Sequence, residues 1–164
     1  MTDEPEGVPD RYEEPPAFFP DDGALPELGE EKILLEVSVE GIFKSASAGQ
    51  ISHYVMLSDD ARKLPILIGP GEAASIGTFI SGGRHDRPGT HDLVRIMLER
   101  LEADIDRVVI DDYWNGVYYA KIFVGKGEDE FEIDARPSDA IALAVRFDAP
   151  VFVAENLLDM VPEV

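Results

Sequence analysis

The chain has 164 residues, no cysteine, 45% hydrophobic residues and a formal net charge of −20. This length predicts one domain with a sizeable core, and the hydrophobic share excludes a chain that is disordered throughout. The missing thiols exclude disulfides and thiolate catalysis. No apolar run approaches the ~20 residues of a bilayer span, and no basic-then-apolar leader opens the sequence, so a cytoplasmic protein without a membrane partner is expected.

The charge is unevenly spread. Residues 1–31 carry 11 acidic residues and one Arg. Half of the acidic excess therefore sits in under a fifth of the chain, around "EEPPAFFPDDG". Residues 1–30 read as an acidic, Pro-rich disordered tail, with Phe18-Phe19 as its sole candidate anchor, and residues 31–164 as the folded domain. A charge of this size repels nucleic acid at long range.

In "KILLEVSVE", Ile33, Leu35, Val37 and Val39 alternate with more polar neighbours, which predicts a half-buried strand. "QISHYVML" (50–57) and "KLPILIG" (63–69) are the next two strands. Pro65 cannot donate to a ladder, so the third belongs at an edge. "PGEAASIGTFISGG" (70–83) changes to a helical period, with Ala73, Ile76 and Ile80 on one face and Gly82-Gly83 as the stop. After the loop "RHDRPG", Thr90 can cap a second helix with Asp92 in its first turn. Leu93, Ile96, Met97 and Leu101 are its expected buried stripe. Val108 and Ile110 mark a further strand, Asn115-Gly116 a type I′ hairpin, and "VYYAKIFV" and "EFEID" two more strands. A helix from Pro137, a short strand at "PVFVA" and a helical turn at "ENLLDM" complete the chain. Runs of strands separated by helices predict an α+β fold. The expected architecture is an antiparallel or mixed sheet of about six to seven strands with three to four helices in one compact domain.

Two polar clusters stand out. In "DARPSDAIALAV", Pro137 suits the first helical position and Asp139 the first turn. Arg136 is three residues from Asp139, close enough to pair, and nothing polar lies between Ile141 and Val145, so this helix should be covered all round. The residues allow two readings. Either they cap a buried helix, or the helix start, Arg136, Asp134 and Asp139 form a phosphate or metal site. "GGRHDRPGTHD" (82–92) is the only locally basic stretch. Arg84 and Arg87 there could meet a phosphate, and His91 could move a proton, since histidine titrates near neutrality at ~6.5. An ordinary polar loop with a helix cap is the alternative. The lack of an HxxxH or HxH pair argues against zinc.

The strings "IGPGEAASIG" (68–77), "RPGTHDLV" (87–94) and "IDARPSDAIALAVRFDAPVFV" (133–153) resemble the bifunctional nuclease domain family. The resemblance implies a compact α+β domain, an oligomer (dimer or higher), and cleavage of both RNA and DNA. Position by position it points to Glu72, Arg87, His91, Asp92, Asp134, Arg136, Ser138 and Asp139. The expected division of labour is His91, Asp92, Asp134 and Asp139 as catalytic groups. Arg84, Arg87, Arg136 and Ser138 would hold substrate phosphate, and Asp134, Asp139 and Glu72 would hold Mg²⁺ or Mn²⁺. The competing reading is a non-catalytic oligomeric binding domain whose polar motifs are caps and subunit contacts. The acidic charge favours this second reading; the Arg and carboxylate clustering favours the first.

Overall fold

In the computed structural model, residues 32–83 and 85–160 are described. The acidic segment 1–30, with Phe18-Phe19, and Arg84 lie outside them. The elements follow the order β1 (Leu34–Ser47), β2 (Gln50–Ser58), β3 (Lys63–Ile68), α1 (Pro70–Ile80), α2 (Thr90–Arg100), β4 (Asp104–Trp114), β5 (Val117–Lys126), β6 (Asp129–Ala135), α3 (Pro137–Phe147), β7 (Val151–Ala154) and α4 (Glu155–Asp159). One seven-stranded sheet has the order β3-β2-β1-β7-β4-β5-β6. Its pairs are antiparallel except β4 with β7. This is an α+β fold with a mixed sheet whose two edges, β3 and β6, stay open. Pro65 lies on the β3 edge, where a missing N–H costs the ladder nothing. No described helix is long and apolar enough to cross a membrane.

Turn chemistry sets the hairpins. Asn115 and Gly116 both have positive φ, +49° and +83°, as a two-residue primed turn requires. Ala48-Gly49 does the same between β1 and β2, with φ of +50° and +79°. The first strand is longer than its alternating run. It continues to Ser47 through a register shift between Val39 and Gly41, and Gly41 has a φ of +147° that only glycine adopts easily.

The helices lie against one face of the sheet. Helix α1 packs on β1 and β2, α3 on β4 and β5, and α3 touches both α1 and α2. Ala140, Ala142 and Ala144 of α3 are buried, so small side chains let it sit close to the sheet and to its helical neighbours. The burial is not purely apolar, because Arg146, in the helix's last turn, is only 7% exposed.

Helix α2 departs from the sequence expectation. Leu93, Ile96, Met97 and Leu101 are exposed, Leu101 by 60%. The inward side is instead His91, Asp92, Val94 and Leu98, all partly buried. The reason is polar: α2 turns so that Asp92 and His91 reach partners on α1 and α3, which leaves the apolar stripe outside. Thr90 is not the cap either. Gly89 occupies that position, and Asp92 Oδ2 accepts its backbone N–H at 2.9 Å.

Strand alternation also decides where Asp134 points. In the β5–β6 ladder Asp134 lies opposite Lys121, whereas buried Ala120 and Ile122 lie opposite Ala135 and Ile133. Ala120 and Ile122 face the helices, so Asp134 is on the other side of the sheet.

Candidate functional site

Helices α1 and α3 both start with proline, which presets the helical φ where no N–H partner is needed. Because α3 packs against α1 and α2, its first turn faces side chains from both. Arg136 grips Asp139 as a fork, with Nε donating to Oδ2 at 2.7 Å and Nη2 to Oδ1 at 3.1 Å. The same Nη2 is 3.0 Å from Glu72 Oε1 of α1. From α2, His91 Nε2 lies 3.0 Å from Asp139 Oδ1, and His91 Nδ1 lies 2.8 Å from Ser75 Oγ of α1. Ser75 Oγ also accepts from Arg146 Nη2 at 3.0 Å, and Arg146 Nε donates to Asp92 Oδ1 at 2.7 Å. The result is one polar chain, Glu72–Arg136–Asp139–His91–Ser75–Arg146–Asp92, that joins three helices.

The proton positions follow from the partners. Ionised Asp139 only accepts, so His91 Nε2 carries a hydrogen. In the neutral imidazole Nδ1 is then a lone-pair acceptor, and the Ser75 hydroxyl donates to it. Ser75 Oγ in turn accepts from Arg146, a pure donor. Every bond runs from Arg146 toward Asp139 without a donor–donor conflict. The His91 side chain is 12% exposed, so this tautomer is held in a largely dry setting.

The carboxylates respond to their partners. Burial works to raise the Asp139 carboxyl, but hydrogen bonds from Arg136 and His91 outweigh it and hold the group below its usual value. The hydrogen bond from Arg146, with the Gly89 N–H, lowers Asp92 in the same way. Hydrogen bonding to Asp139 raises Arg136.

The network runs between two openings. One, of about 680 Å³, is lined by Glu72, Arg136, Ser138, Tyr54, Tyr113 and Tyr118 among others. The other, of about 950 Å³, is bordered by α1, α2 and the loop between them, with Ser75, Arg95 and Arg146 in its wall.

Of the residues singled out in the sequence, the fold joins Glu72, His91, Arg136 and Asp139 directly and Asp92 through Arg146. Asp134, opposite Lys121 on the other face of the sheet, makes no hydrogen bond or ion pair with this group among the described residues. Ser138 is buried, and no side-chain hydrogen bond is seen from it among the described residues. Arg87 is exposed on the loop. No set of three His, Asp or Glu side chains converges so as to hold a metal ion among the described residues. Ser75 and Arg146 escaped the sequence reading. Their signal was helical spacing: Ser75 is three residues from Glu72, and Arg146 is seven from Asp139, which puts each pair on one helical face.

Residues 55–163 match the family model of the bifunctional nuclease domain. An uncharacterised protein of Mycobacterium tuberculosis is 35% identical over 123 residues, which cover 75% of this chain and 73% of that protein. Bifunctional nuclease 2 of Oryza sativa subsp. japonica is 29% identical over 115 residues, 68% of this chain and 35% of the rice protein. Bifunctional nuclease 1 of Oryza sativa subsp. indica is 28% identical over 97 residues, 57% of this chain and 29% of the rice protein. The chain therefore spans about a third of the two rice proteins. By the extent of the domain match and the mycobacterial relative, this chain belongs to the bifunctional nuclease domain family.

Proposed function

We propose that the protein hydrolyses phosphodiester bonds in RNA and DNA. The observation that carries this reading is His91, bridging Ser75 and Asp139 with a guanidinium on either side of the pair. Such an imidazole is placed to take up and return a proton. The Arg136 side chain, 67% exposed, lines the first opening, where its fork can hold a phosphate along the polymer, and Arg95 and Arg146 line the groove beside Ser75. Two rice proteins named as bifunctional nucleases share the domain, which supports the substrate class.

The Mg²⁺ or Mn²⁺ expectation fits the residues poorly. Asp134 is turned away, and Glu72 and Asp139 are both engaged by Arg136. A cation would have to displace Arg136 to take these carboxylates. The test is the purified full chain on single-stranded RNA and DNA, with Mg²⁺, Mn²⁺ or EDTA. Cleavage of both polymers is the expected result. No cleavage under any of the three conditions would make the non-catalytic binding domain the better reading.

The exposed stripe of α2 supports the oligomer that the family resemblance implies. Leu93, Ile96, Met97 and Leu101 offer a second copy of the chain an apolar helix face. Met97→Glu places a charge in this stripe and is expected to convert a dimer or larger assembly into a monomer in sedimentation. A wild-type chain that sediments as a monomer at all concentrations would remove this interface.

A further inference from the structure

We propose that Ser75 is a nucleophile, activated by His91 and Asp139, that cleaves the phosphodiester through a covalent phosphoserine in the groove beside α1 and α2. The proposal rests on the phosphodiesterase reading and supplies its missing chemical step. Serine at its free pKa is a weak nucleophile and needs an adjacent base oriented by a third group. Here the base is His91 Nδ1, 2.8 Å from Ser75 Oγ, and the orienting group is Asp139, 3.0 Å from Nε2.

Two details separate this serine from a packing residue. A serine on a helix commonly bonds back to the carbonyl of the preceding turn, as Ser81, the residue that ends α1, does to Gly77 O at 2.8 Å. Ser75 instead points its hydroxyl across to another helix. The buried Arg146 turns its Nη2 to Ser75 Oγ at 3.0 Å, closer than to the Ser75 carbonyl at 3.4 Å, while Nε and Nη1 go to Asp92 and Ala142 O. The guanidinium beside Oγ favours negative charge on that oxygen, and Ser75 and Arg146 both line the groove of about 950 Å³.

The step balances without an added oxidant or cofactor. Ser75 Oγ forms a bond to phosphorus while its proton passes to His91 Nδ1. The bond from phosphorus to the departing nucleoside oxygen, in line with Ser75 on the opposite side, breaks, and that oxygen takes a proton from solvent water. Water then displaces Ser75 from that opposite side, losing its proton to solvent, and His91 Nδ1 returns the held proton to Ser75 Oγ as it leaves. Arg146 faces the charge that develops at Ser75 and the phosphoryl oxygens.

The test uses the absence of cysteine from the chain. In full-length Ser75→Cys, iodoacetamide reports on one thiol alone. The alkylation rate is expected to reach half-maximum at least one pH unit below the ~8.5 of a free cysteine. Adding His91→Gln should move the midpoint back toward that value. Ser75→Ala, with its unfolding midpoint measured alongside, should cleave RNA at least 100-fold more slowly than wild type in EDTA. An unshifted thiol midpoint with undiminished Ser75→Ala cleavage would overturn the nucleophile and leave the phosphodiesterase reading standing. A lowered, His91-dependent midpoint in a protein that cleaves neither polymer would sustain the activated Ser75 and overturn the phosphodiester substrate.

Discussion

Asp139→Asn is expected to slow RNA and DNA cleavage by a factor on the order of 10²–10⁴, the usual worth of a positioned acid–base group, while the fold survives. Asp139 receives three donors: Arg136 Nε, Arg136 Nη2 and His91 Nε2. An asparagine offers one accepting oxygen and a donor in place of the other. If the amide nitrogen faces His91, the imidazole must shift its hydrogen to Nδ1 and loses the lone pair that accepts from Ser75. If it faces Arg136 instead, two donors collide and the fork opens. The stability cost should be only about 1 kcal/mol, because Arg136 is mostly in water. Wild-type Asp139 is held below its ordinary 3.8. Its stabilising contribution is thus present above that pH and lost as pH falls through the lowered value in the folded state. A variant that cleaves at the wild-type rate would make the Asp139–His91 contact a helix tie only.

The largest stability effect is expected at Asp92. Asp92→Ala removes the carboxylate from Arg146, whose side chain is only 4% exposed, and the acceptor from the Gly89 N–H. Removing one partner of a buried ion pair costs roughly 3–5 kcal/mol. The low end, about 3 kcal/mol, applies here, since Asp92 itself is about a third exposed. Denaturant unfolding should show this as a lower midpoint. Replacing Arg146 by Met in the same chain should recover much of the loss, because an apolar side chain of similar length needs no counter-charge. The paired wild-type Asp92 is also held below 3.8. The wild-type advantage over Asp92→Ala should therefore be complete at pH 7 and shrink below about pH 4 as Asp92 protonates. A change below 1 kcal/mol for Asp92→Ala would mean that Arg146 reaches water when its partner is gone.

The acidic balance and the placement of strands and helices could be read from the sequence, because they depend on neighbours only a few residues apart. Asn115-Gly116 had to turn, Pro65 had to avoid a central strand, and the apolar run after Pro137 had to be covered. Arg136 and Asp139, three apart at a helix start, were bound to meet. Tertiary structure alone decided what lies across from them. Periodicity put the apolar stripe of α2 inside, but an amphipathic pattern gives a helix's faces without saying which face its neighbours take. The partners of His91 and Asp92 on α1 and α3 turned that stripe outward. Strand alternation sent Asp134 to the far side of the sheet although it lies only five positions before Asp139. Ser75 and Arg146 lie 71 positions apart. No local rule connects them; they meet because α3 packs across α1, and that packing places the hydroxyl of one helix between the imidazole of a second and the guanidinium of a third.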